Sequence, residues 1–168
     1  LKVLSGHWRN CRFENCCAGI QVNADGAVSP QIVEDCVFDM NTTGATQTGR
    51  AVQFTKPDAP VQVHRCIFNK GNTYDLAIDL YLPGSVVTNC EFSNNTNSTG
   101  TPAAIWAYNR ESGDGYGARV IGCNFYNNSY GTNYVLATDD GIIDAALHTG
   151  STTVDPSYTN AATHDFSR

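Results

Sequence analysis

Methionine occurs once in 168 residues, and only 15% of the residues carry charge. Ten are Lys or Arg against sixteen Asp or Glu, a formal net charge of −6, and the basic residues are scattered along the chain. A phosphate backbone asks for a clustered basic face, so this balance argues against a nucleic-acid role. No apolar run approaches the roughly 18 residues of a membrane span, and no basic-then-apolar leader opens the chain. The chain starts at Leu1 and reads as a processed or excised segment. Neither a Cys-x-x-Cys nor a His-x-x-x-His spacing occurs, so no zinc or other metal site, and no cofactor, is expected. The length bounds a single domain, and 41% hydrophobic residues suffice for a sizeable core.

What is present is a short phrase built on Cys-x-Phe, occurring five times: Cys11-Arg12-Phe13, Cys36-Val37-Phe38, Cys66-Ile67-Phe68, Cys90-Glu91-Phe92 and Cys123-Asn124-Phe125. The Cys11, Cys36, Cys66, Cys90 and Cys123 intervals are 25, 30, 24 and 33 residues. Self-similarity at such periods signals a solenoid. Cys and Phe two apart share one face of an extended strand, with Arg12, Val37, Ile67, Glu91 and Asn124 pointing outward; a helix would separate them by roughly 200°. Before each Cys stands Asn10, Asp35, Arg65, Asn89 or Gly122. Asn, Asp and Gly tolerate a left-handed backbone, so a sharp corner is expected there. The corner lets Val33, Val63, Val87 and Val120, three before Cys, face inward as well.

A second alternating phrase lies between the anchors: Ala18-Gly19-Ile20-Gln21-Val22, Ala51-Val52-Gln53-Phe54, Ala77-Ile78-Asp79-Leu80, Ala104-Ile105-Trp106-Ala107 and Tyr134-Val135-Leu136-Ala137. With Val-rich strands such as Val61-Gln62-Val63 and Ser85-Val86-Val87, each repeat supplies three short strands. Stacking them about 4.8 Å apart predicts an all-β fold, a right-handed parallel β-helix of about five to six coils with three short parallel sheets. Leu1 to Trp8 shows no clear alternation and reads as the tail of an earlier coil or an edge. Exposed strand groups at uncapped coil ends predict self-association or embedding in a larger assembly.

Seven cysteines leave one thiol over from any full pairing, and five occupy the inward slot. Free Cys packs as a small hydrophobe, so a thiol ladder is expected rather than disulfides between coils. Of the adjacent Cys16 and Cys17, Cys17 is the candidate for the exposed or paired thiol. Segments Asn41 to Arg50, Asn94 to Pro102 and Asn109 to Gly117 read as surface loops.

Residues 1–153 read as coils and 154–168 as a truncated closing segment. Val154-Asp155-Pro156-Ser157-Tyr158-Thr159-Asn160 with Asp165-Phe166 resembles the Asp-Pro-x-Phe/Tyr-x-Asn…Asp-Phe segment that closes many bacterial secreted right-handed β-helix repeat proteins of pectate-lyase-like architecture; the Gly-Ser-Pro-Ala phrase that commonly follows is missing. The resemblance covers the repeat grammar of most of the chain. It implies the architecture rather than an activity, since the family includes polysaccharide lyases, glycoside hydrolases, phage tailspikes, adhesins and structural surface proteins.

Outward positions of the second phrase stack into one stripe: Gln21 and Asn23, Gln53 and Thr55, Asp79 and Tyr81, Trp106 and Tyr108, Leu136 and Thr138. Aromatic planes suit sugar C–H groups, and neighbouring amides and carboxylates suit hydroxyls, so Trp106, Tyr108, Tyr81, Asp79 and Gln53 are the glycan-binding candidates. The competing reading makes the aromatics stability stacks under loops.

No catalytic constellation emerges. Asp139-Asp140 before His148 matches polygalacturonase-like hydrolases poorly and reads as a turn. Glu34, Asp35 and Asp39 form an acidic patch, and Glu34 stacks towards His64 as a salt pair or an acid–base pair. Asn41, Asn94, Asn97 and Asn127 begin Asn-x-Ser/Thr glycosylation acceptors. The reading that emerges is a non-catalytic extracellular or cell-surface module of a fibre, adhesin or filament that contacts a polysaccharide or other glycan. The alternative is a polysaccharide lyase, glycoside hydrolase or tailspike depolymerase fragment.

Overall fold

The computed structural model describes residues 6–16, 18–23, 29–40, 50–55, 59–69, 78–80, 85–95, 105–108, 119–128, 135–138, 148–150, 152–153 and 155–157. Among them the regular structure is all strand, with no helix. The strands are β1 (His7–Arg9), β2 (Arg12–Glu14), β3 (Ala18–Asn23), β4 (Gln31–Glu34), β5 (Val37–Asp39), β6 (Arg50–Thr55), β7 (Val61–His64), β8 (Ile67–Asn69), β9 (Ile78–Leu80), β10 (Val86–Thr88), β11 (Glu91–Ser93), β12 (Ile105–Tyr108), β13 (Arg119–Ile121), β14 (Asn124–Tyr126), β15 (Val135–Thr138) and β16 (His148–Thr149). Every third strand joins the same sheet. The sheet orders are β1-β4-β7-β10-β13-β16, β2-β5-β8-β11-β14 and β3-β6-β9-β12-β15, all pairs parallel. Three parallel sheets fed in rotation are consistent with a parallel β-solenoid.

The corners expected before each Cys are present. Asn10, Asp35, Arg65 and Asn89 have φ of 55°, 54°, 51° and 52°, and Gly122 has 61°. Four of the five are types that tolerate this region; the fifth, Arg65, ion-pairs with Asp35 and Glu34. Each corner turns the chain between the first and second sheets without breaking the inward run. Val33, Val63, Val87 and Val120 are therefore buried on one side of it, and Cys36, Cys66, Cys90 and Cys123 on the other.

Phe38, Phe68, Phe92 and Phe125 complete the core, with Val52 and Ile105 from the third sheet. The five phenyl rings from Phe13 to Phe125 form one stack, with centroids 4.8 to 5.0 Å apart and planes within 8° of parallel. That spacing is the strand separation itself, so the sheet register sets the ring geometry. The six described cysteines are free thiols, in keeping with the ladder reading, and Cys17 lies outside the described residues.

The structure departs from the sequence reading in several places. Glu91, expected outward, is only 3% exposed. Asp39 is not part of an acidic patch with Glu34 and Asp35; it is buried at the end of β5, where Asn69 Nδ2 donates to its Oδ1 at 3.2 Å. The reading of Leu1 to Trp8 as the tail of an earlier coil or an edge is not among these departures, for His7 and Trp8 lie in β1, the edge strand of its sheet, which pairs with β4 and sets Trp8 opposite Val33.

A second left-handed corner two residues after Phe went unread: Asn15, Asn94 and Asn127 have φ of 51°, 55° and 49°. Beyond the fifth Cys-x-Phe, Gly150 repeats the first corner at φ 66°, and Thr152 bridges Asn124 where the sequence places Ser151 and Thr153 in the Cys and Phe slots. Of the expected closing segment, Asp155 to Ser157 are described, and Tyr126 Oη donates to Asp155 Oδ2 at 3.2 Å. Its remainder, and nearly all of the three expected loops, lie outside the described residues.

Candidate functional site

The third sheet carries the expected stripe in its register. Ile20, Val52, Ile78, Ile105 and Val135 are successive partners, and Ile20, Val52 and Ile105 are buried. One residue further along each strand, Gln21 pairs with Gln53, Gln53 with Asp79, Asp79 with Trp106, and Trp106 with Leu136. For Gln21 and Gln53 the period of two puts the side chains on the face opposite buried Ile20 and Val52. Gln21 is exposed and Gln53 half-buried, and Gln21 Nε2 donates to Gln53 Oε1 at 3.0 Å. This amide pairing fixes both side chains along the sheet normal to the strands. Two residues on, Asn23 pairs with Thr55 and Tyr108 with Thr138, while Tyr81 lies outside the described residues.

Two of the four glycosylation candidates, Asn94 and Asn127, occupy the second corner; Asn41 and Asn97 lie outside the described residues. Their amide nitrogens take part in a ladder. Asn127 Nδ2 donates to Asn94 Oδ1 at 2.8 Å, Asn94 Nδ2 to Asn69 Oδ1 at 3.0 Å, and Asn69 in turn to Asp39. A parallel rung joins Asn95 and Asn128, each donating to the carbonyl of a core phenylalanine, Phe68 at 3.3 Å and Phe92 at 2.9 Å. The sequence signal was an Asn two residues after Phe in the first, fourth and fifth repeats.

At the first corner a charged network spans three successive strands of the first sheet. Glu34 and His64 are register partners as expected, but their side chains bond elsewhere. Glu34 takes His7 Nε2 at 2.7 Å and Arg65 Nη2 at 2.9 Å; His64 Nδ1 meets Thr88 Oγ1 at 2.6 Å. The hydrogen bond from His7, with Arg65 and Arg9 beside it, holds the Glu34 carboxyl below the usual glutamate range. Asp35 is held low chiefly by its hydrogen bonds to Arg65. The arrangement is that of solvated ion pairs rather than a proton-transfer pair.

Asp139 and Asp140 lie outside the described residues, and His148 is described only as the strand partner of Val120. Among the described residues no three His, Cys, Asp or Glu side chains cluster as metal ligands, and no helix is long and apolar enough to cross a membrane. Comparison with protein-family models, with curated proteins and with solved structures returns no match.

Proposed function

We propose that the chain is a non-catalytic extracellular module, a right-handed parallel β-helix of about five to six coils from a surface fibre, adhesin or filament, whose third sheet contacts a linear glycan. The observation that carries the reading is the Gln21, Gln53, Asp79, Trp106 and Leu136 column, which repeats amide, carboxylate and aromatic groups once per strand spacing along one axis. At about 4.8 Å per step the four polar and aromatic positions extend over roughly 14 Å, a length matched to several units of a polymer rather than to one small molecule. A linear polysaccharide is repetitive along one axis, as the column is. Self-association through coil ends belongs to the same reading, because among the described residues β1, β2 and β3 pair with a strand on one side only.

The test is binding to a panel of immobilised neutral and acidic polysaccharides, with Trp106→Ala and Gln53→Ala beside the parent chain. Retention on at least one polymer, weakened tenfold or more by Trp106→Ala without a change in melting temperature, supports the reading. No retention, or the release of reducing or unsaturated sugar ends on incubation, overturns it, the latter in favour of a depolymerase.

A further inference from the structure

The first corner also bounds an open depression of about 450 Å³ on a different part of the surface, where β7 and β8, β10 and β11, and β13 and β14 turn. That volume falls within the range of small-ligand clefts. Asp35, Arg65 and Asn89 carry side chains over their turns, whereas Gly122 carries none, and a Cβ there would stand 2.9 Å from Asn89 Oδ1. The position that a Gly122 side chain would take is therefore bordered by the Asn89 amide, which a Cβ there would force to shift.

The groups around it define the ligand. Arg65 spends Nε and Nη2 on Asp35 and Glu34, leaving Nη1 without a partner among the described residues. The backbone N–H of Asn89 donates to Ile121, but its side-chain amide has no partner among the described residues and keeps donor and acceptor capacity on an exposed corner. Asn124 and half-buried Ile67 complete the wall, the first polar and the second apolar. Of the two charged residues in the lining, the Arg65 guanidinium lies between two carboxylates and Glu91 is only 3% exposed. An anion would meet a guanidinium that is already paired, and a cation a carboxylate that is covered. Hydroxyl groups both donate and accept, and match the mixed set that remains.

We propose that this depression is a binding site for a small neutral polyhydroxylated ligand, of the class of a sugar-chain terminus. It is separate from the third-sheet column and stands whether or not that column binds glycan.

The experiment is a titration of the isotope-labelled chain with cellobiose, glucuronate and glucosamine, followed by amide chemical shifts. Cellobiose produces saturable shifts at millimolar concentration in Arg65 to Ile67, Asn89 to Glu91 and Gly122 to Asn124, and the charged sugars bind at least fivefold more weakly. Gly122→Asn places at this corner a residue type that Asn10 and Asn89 show at a similar φ, and its Cβ, 2.9 Å from Asn89 Oδ1, displaces the Asn89 amide from the depression. It lowers affinity at least tenfold with the melting temperature retained. Should Gly122→Asn fail to fold, Asn89→Gly removes the free amide at a position where glycine suits the backbone, and gives the same loss. Trp106→Ala leaves these shifts unchanged. Absence of saturable shifts at the three corners, a preference for either charged sugar, or full binding by a folded Gly122→Asn or Asn89→Gly variant overturns the proposal.

Discussion

Arg65 grips Asp35 of the preceding repeat with both arms, Nε to Oδ1 at 2.7 Å and Nη2 to Oδ2 at 2.9 Å, while both residues sit at left-handed corners. The fork joins two carboxylate oxygens to two guanidinium nitrogens, the geometry in which such pairs are strongest.

The first prediction concerns acid. Asp35 and Glu34 have their carboxyl groups held below the usual range by Arg65 and His7. A carboxylate with a lowered folded value contributes stability that is complete above its unfolded value, near 4, and fades as pH falls through the folded value. Arg65→Met removes the partner of both. Melting temperatures followed from pH 7 to pH 2.5 will therefore fall less steeply below about pH 4 in Arg65→Met than in the parent. Since the pairs are exposed, 0.5 M salt will narrow the gap. Identical acid limbs would show that the ion pairs carry no linkage.

The second sets two neighbours on β11 against each other. Phe92 lies between Phe68 and Phe125 at 4.9 and 5.0 Å, fully buried, and Phe92→Ala should cost about 3 to 5 kcal/mol in chemical denaturation. Read from alternation alone, Glu91→Ala would be near neutral. With Glu91 covered and its neighbours arranged around it, the expected loss becomes about 1 to 3 kcal/mol. Exposed Arg12, the equivalent residue in β2, supplies the near-neutral control. A Glu91→Ala variant as stable as Arg12→Ala would restore the simpler reading.

The inward columns and first corners were legible because their signals are local: a period of two for the strands and left-handed-tolerant residue types for the turns. The register of the Gln53, Asp79 and Trp106 column followed from aligning repeats, without any knowledge of contacts. Burial of Asp39 was not legible, because it is settled by Asn69, thirty residues away in sequence. Glu91 was missed for a related reason: alternation gives a residue's face, and covering of that face is a tertiary fact. The second corner was hidden by coincidence, since Asn94 and Asn127 begin an Asn-x-Ser/Thr triplet and also take the left-handed turn. Gly122 looked like one more corner residue, and only the Asn89 amide beside it shows how closely a side chain there would be crowded.

The third prediction tests the amide ladder at its hub. Asn69 is fully buried, donates to Asp39, and accepts from Asn94 Nδ2 at 3.0 Å and Ser93 Oγ at 3.4 Å. Asn69→Leu keeps the branching and heavy-atom count of the side chain but withdraws a donor from a buried carboxylate and an acceptor from two further groups. Denaturant unfolding should show a loss of about 2 to 4 kcal/mol, more than one ordinary hydrogen bond contributes. A loss under about 1 kcal/mol would mean that the ladder reports proximity alone.

The fourth follows from the sulfur column. Cys36, Cys66 and Cys90 each direct Sγ at the carbonyl two residues back, Glu34 at 3.2 Å, His64 at 3.3 Å and Thr88 at 3.4 Å, so the same geometry repeats at each corner. Burial, and then the thiols of Cys123 and Cys66, pushes Cys90 well above the ordinary thiol range. Alkylation requires both a thiolate and access. Cys11 and Cys16 are half-buried at the first repeat, whereas Cys36, Cys66, Cys90 and Cys123 are enclosed. Iodoacetamide at pH 8, read by peptide mass spectrometry, should modify Cys11 and Cys16 in the native chain and the four enclosed thiols only after denaturation. Adjacent cysteines stacked at about the strand spacing are within the Cα separation a disulfide spans, so packing and lack of access, rather than distance, keep them reduced. Labelling of Cys66 or Cys90 at the rate of Cys11, or an intact mass lower by two hydrogens per pair, would show that the column is open to reagents or already bridged, and the packed thiol ladder would have to be given up.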